Sequence, residues 1–69
     1  MSGKITLKAA RVNSRKTQAD ARVELMRHGY NVAISTISNW ETGRSYPTVK
    51  QFQILCDLYG CTMDDIFVS

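Results

Sequence analysis

Two cysteines, one histidine and one proline are all that the 69 residues hold of those three types. Cys56 and Cys61 are too few for a disulfide scaffold, and their spacing fits no common zinc pattern. They read instead as small, reduced, partly buried apolar side chains. A lone histidine, His28, excludes a histidine pair for a metal, and its cation near a helix end simply suits the macrodipole. Ser14 and Ser35 have no base at a workable spacing, so no catalytic constellation is present. No metal, cofactor or enzymatic activity is expected. Long apolar runs are also missing: nothing approaches the ~20 residues of a membrane span. The opening Met1-Ser2-Gly3-Lys4 leads into no signal-peptide core, so a cytoplasmic location is expected. β-branched alternation is never sustained, which excludes an extended sheet and leaves an all-α reading.

What is there fits one domain, residues 1–69, with its core over about 5–67. A chain this short buries only about 60% of its unfolded surface, so stability is modest and dimerisation adds to it. Charge is unevenly placed. Residues 1–50 hold all nine Lys and Arg against Asp20, Glu24 and Glu41, a balance of 9 − 3 = +6. Residues 51–69 hold only Asp57, Asp64 and Asp65, a balance of −3. A basic body with an acidic end suits a face turned to a polyanion, although a solvated surface looks similar.

The spacing predicts five helices. The first covers about Thr6 to Asn13, with Leu7, Ala10 and Arg11 on one face, and Asn13-Ser14 supplies turn chemistry. Thr17 with Asp20 three residues on is a variant capping box opening the second helix. Ala19, Val23, Met26 and Tyr30 step along that helix as one apolar stripe, and Gly29 ends it. The third helix covers about Ala33 to Thr42, with Ile37, Trp40 and Glu41 inward and Gly43 beyond its end. A fourth follows Pro47 with Thr48 as its cap and Val49, Phe52, Ile54, Leu55, Leu58 and Tyr59 as its buried face. Gly60 stops it. Thr62 and Asp65 open a last short helical turn carrying Met63, Ile66 and Phe67, so Asp64 and Asp65 read as capping carboxylates rather than a metal or acid pair. The expected core is Leu7, Val23, Val32, Ile37, Trp40, Phe52, Leu55, Leu58 and Ile66.

The third helix carries the functional signal. At 100° per residue from Ile37, the residues pointing away are Ser35, Asn39, Thr42 and, obliquely, Ser38. That face is small, polar and almost uncharged, where an ordinary solvated helix carries Lys and Glu. Asn39 can pair with two edge atoms of adenine, Ser35 can donate or accept, and the methyls of Ile34 and Thr36 can touch thymine methyls. Gln18 and Arg44 flank the face and suit phosphate contacts.

Taken together, Arg11, Thr17-Gln18-Ala19, Thr36-Ile37-Ser38-Asn39-Trp40-Glu41-Thr42-Gly43-Arg44, Pro47 and Leu58-Tyr59-Gly60-Cys61-Thr62-Met63-Asp64-Asp65-Ile66-Phe67 resemble the Cro/repressor-type, or XRE, helix-turn-helix family over about Ile5 to Phe67. The resemblance implies a compact five-helix repressor-like domain that binds a double-stranded DNA operator, usually as a homodimer on a two-fold repeat. It places Ile34, Ser35 and Asn39 at base-reading positions, and Gln18, Thr42 and Arg44 at backbone-contact positions. Arg11 and Glu41 match a buried ion pair tying the first helix to the third. The spacing departs from the pattern: Thr17 to Trp40 is 23 positions (40 − 17), five more than is usual in the family. Three of the five fall before Gly29 and two after it. Arg22 and Arg27 on the lengthened second helix read as its solvated face or as extra phosphate contacts.

The expectation is therefore a transcription regulator of the Cro or compact-repressor kind that inserts helix 34–42 in the major groove. With the chain ending at Ser69, regulation is expected through concentration, operator competition or a partner protein. The alternative is a protein-interaction module, an antitoxin or adaptor, built on the same fold.

Overall fold

The computed structural model describes residues 4–67, Phe67 through its backbone alone. Its elements in chain order are β1 (Ile5–Thr6), α1 (Leu7–Asn13), α2 (Gln18–Arg27), α3 (Ile34–Thr42), α4 (Val49–Tyr59), a 3-10 turn (Met63–Asp65) and β2 (Ile66–Phe67).

Threonine opens three of the four α-helices. Thr6 Oγ1 accepts the Ala9 N–H at 3.0 Å before α1. Before α2, the Asp20 N–H donates to Thr17 Oγ1 at 3.0 Å while the Thr17 N–H donates to Asp20 Oδ2 at 2.9 Å. Thr48 and Gln51 repeat this reciprocal arrangement before α4, at 3.2 and 3.0 Å. Each pair satisfies backbone donors that the first turn of a helix leaves without partners. α3 differs: Ala33 precedes it, and no side chain caps it.

The five-helix expectation is corrected to four α-helices among the described residues. After Thr62 the chain makes a single 3-10 turn, closed by the Asp65 N–H on Thr62 O at 3.1 Å. That bond and the next, from the Ile66 N–H to Met63 O, are too short a nucleus to propagate an α-helix. Ile66 is instead extended, and β2 pairs in parallel with β1 in the register Ile5↔Ile66, Thr6↔Phe67. This two-residue ladder ties the start of the chain to its end, and Ile66 is buried behind it. The expected apolar role of the Phe67 side chain lies outside the described residues.

The expected stripe on α2 is also corrected. Ala19 is exposed, Val23 is 53% exposed and Met26 46%, whereas Ala21 and Leu25 are fully buried. α2 carries apolar residues on two sides, and its packing against both α3 and α4 selects the side with Ala21 and Leu25. Val49 is exposed too, at the start of α4, and Phe52 and Leu58 only half-enter the interior. The buried core consists of Leu7, Ala10, Ala21, Leu25, Ile37, Trp40, Ile54, Leu55, Cys56, Tyr59 and Ile66, with Tyr30 and Val32 packed against it. Among the described residues no helix is long and apolar enough to cross a membrane.

Candidate nucleic-acid interface

α3 presents two chemically opposite faces. Ile37 and Trp40 are buried, and the Glu41 carboxylate beside them is only 2% exposed. On the other side Ile34, Ser35 and Thr42 are exposed, while Thr36, Ser38 and Asn39 are half-buried. The side chains of Ser35 and Asn39 make no hydrogen bond among the described residues, so their groups remain available to an outside partner. Thr42 donates its hydroxyl back to Ser38 O at 3.1 Å and Asn39 O at 3.3 Å, leaving that oxygen as an acceptor. With no side-chain cap, the Ile34 and Ser35 amides make no hydrogen bond among the described residues, while the Thr36 N–H donates to Ala33 O at 3.0 Å, and a helix N-terminus favours a negatively charged oxygen.

Gly43 ends the helix with φ at +79°, and the Arg44 N–H donates to Asn39 O at 2.9 Å. This tight turn projects Arg44 into solvent just past the polar face, with no hydrogen bond or ion pair for its side chain among the described residues.

Behind that face, one ion pair ties four segments together. Arg11 Nε donates to Glu41 Oε2 at 2.7 Å, and its Nη2 donates to Glu41 Oε1 at 3.3 Å. Arg11 Nη1 reaches Lys16 O at 2.9 Å. Gln18 Nε2 donates to Glu41 Oε1 at 3.1 Å. α1, the turn before α2, the first residue of α2 and the last turn of α3 are thus fixed together. The hydrogen bond to Glu41 raises the Arg11 pKa, against a smaller opposing effect of burial. Gln18 commits one amide proton to this network and keeps another proton and its oxygen free.

Beside the network lies Tyr59, whose buried hydroxyl has no hydrogen-bond partner among the described residues. Burial, reinforced by the charge of Glu41, pushes its phenol well above the ordinary range.

The two arginines left open by the sequence part company. Arg22 Nε donates to Val32 O at 3.2 Å and so buttresses the α2–α3 turn, a use that nothing in its spacing announces. That turn is also held by the Tyr30 N–H on Leu25 O at 2.9 Å, which together fix how α3 leaves α2. Arg27 is exposed and pairs with Glu24 at 3.5 Å, as does His28 at 3.4 Å, the ordinary surface pairs of a helix. Sequence reasoning also missed the Gln18–Glu41 bond. A polar residue opening a helix and an acid closing another carry no mark that they meet.

A family model described as helix-turn-helix matches residues 7–66, most of the chain. No curated protein and no solved structure gives a match.

Proposed function

The chain belongs to the XRE-type helix-turn-helix family of DNA-binding regulators, and from that premise we propose that it binds an operator sequence-specifically, with α3 in the major groove. The observation that carries this reading is the division of α3. Ile37 and Trp40 anchor it, while its outward side offers the Ser35 hydroxyl and the Asn39 amide, whose side chains make no hydrogen bond among the described residues.

In this arrangement Asn39 pairs with an adenine edge, Ser35 reads a neighbouring base, and Ile34 and Thr36 touch thymine methyls. Gln18, Thr42 and Arg44 hold the phosphates on either side. Each of these supplies a free proton, lone pair or charge at the rim of the face. The protein works in the cytoplasm as a Cro-like or compact repressor, and a homodimer supplies two copies of α3. Half-sites about 34–36 Å apart on a two-fold repeat then follow.

Selection of bound duplexes from a random pool at two salt concentrations tests the reading. A two-fold repeat at that spacing is expected. Within the selected site, Asn39→Ala should cost about 1–3 kcal/mol and relax one base pair, whereas Arg44→Ala should weaken every sequence alike. If neither substitution changes affinity, α3 is not the reading helix. A pool that yields no preferred duplex favours the alternative of a protein partner, for which exposed Val23 and Met26 offer apolar contact.

A further inference from the structure

All four α-helices run into a residue with left-handed backbone, and three of the four are glycine: Gly29 at φ +88°, Gly43 at +79° and Gly60 at +74°. The exception follows α1. It is Arg15, at φ +61°. Its hydrogen bonds have the same form as those at Gly29. The Lys16 N–H donates to Arg11 O at 3.1 Å and the Arg15 N–H to Val12 O at 3.0 Å, as Tyr30 does to Leu25 and Gly29 to Met26. A Cβ in this conformation crowds the following backbone, and glycine escapes the strain.

Nothing among the described residues compensates for it. Arg15 is exposed, and its side chain has no hydrogen bond or ion pair among the described residues. A strained residue of this kind persists where the strain serves something else. Its position shows what that is. Arg11 donates to Lys16 O and to Glu41 with one guanidinium, and so clamps the turn bearing Arg15 against the end of α3. Arg15 therefore lies in the turn that leads into α2 at Thr17-Gln18, next to the Lys16 carbonyl that shares the Arg11 guanidinium with Glu41 at the end of α3.

We propose that Arg15 is a further phosphate-binding residue, held in a rigid strained turn that presents its guanidinium to the DNA backbone beside the base-reading helix. This rests on the DNA-binding reading above. A guanidinium matches two phosphate oxygens at once, and a turn closed by two backbone hydrogen bonds leaves less freedom to lose on binding.

Arg15→Gly separates the two roles because it moves stability and binding in opposite directions. Its melting temperature should rise, by about 4 °C, as the strain is relieved. Its affinity for a mixed-sequence duplex should fall, with the slope of log K against log salt shallower by about 0.9 per protomer. Arg27→Ala, which removes the same charge from the far end of α2, should leave that slope unchanged, and Arg15→Lys should restore most of it. If Arg15→Gly leaves the slope of the original protein intact, the proposal fails and the DNA-binding reading stands. A fall in melting temperature removes the strain argument and overturns it as well. If the original protein shows no salt-dependent binding to the duplex, the DNA-binding reading itself falls and takes Arg15 with it.

Discussion

α2 and α3 are neighbours of almost equal length, yet their outward faces are made of different things. α3 turns hydroxyls and an amide to the outside, and α2 turns Ala19, Val23 and Met26 there. On α3 the two sides differ in chemistry, so the side chains themselves decide which way the helix faces. On α2 both sides are apolar, and only the neighbouring helices decide. The uncapped start of α3, against the Thr17–Asp20 box of α2, repeats the contrast at the level of the backbone. One helix closes its first turn with its own side chains, and the other leaves the Ser35 and Asn39 side chains without a hydrogen bond among the described residues.

The strongest way to break the comparison is to remove what holds α3 in place. Glu41→Ala leaves the Arg11 guanidinium, 12% exposed, without its counter-charge and frees Gln18. Stripping one partner from a buried ion pair costs about 3–5 kcal/mol, so urea unfolding of the variant should show a loss of this size. A loss below about 1 kcal/mol would be that of a surface pair, and α3 would then be held by Ile37 and Trp40 alone.

A second pair of substitutions sharpens the account of α2. Leu25→Ala removes a fully buried side chain and should cost about 2–5 kcal/mol in the same assay. Val23→Ala, on the exposed side, should stay within about 0.5 kcal/mol. The reverse order would mean that α2 packs through Ala19, Val23 and Met26.

These two helices also show what could be read before the structure and why. The caps at Thr17 and Thr48 and the stops at Gly29, Gly43 and Gly60 are local, each decided within a few residues, and they stand where the spacing puts them. The inward Ile37 and Trp40 follow from one unambiguous stripe. The side chosen by Leu25 over Val23 is a tertiary decision, as is the extended Ile66 that pairs with Ile5 across the length of the chain. At the candidate site, the outward placement of Ser35 was legible because polarity alone marks it. The bonds from Gln18 to Glu41 and from Arg22 to Val32 join separate segments, and no pattern along the chain encodes them. Arg15 was hidden for a related reason: the residue that ordinarily marks a left-handed helix end is absent from it.

The smallest effect concerns the two helix starts, and it is read with acid. The Thr17 backbone N–H, and then its side chain, hold the Asp20 carboxyl below its ordinary pKa. A carboxylate whose pKa is lower in the folded state contributes stability above its unfolded value, near 3.9, and loses that contribution as the pH falls through the lower folded value. Asp20 is fully exposed, so the effect is confined to pH below about 4 and is small. Asp20→Asn should therefore flatten the acid limb of the stability profile slightly and leave the region near neutrality unchanged in slope. The same acidification has no cap to protonate at α3, since Ala33 carries none. Amide exchange at low pH should consequently loosen the first turn of α2 relative to that of α3. Equal loosening of both would mean that acid acts on the fold as a whole and not through the box at Thr17.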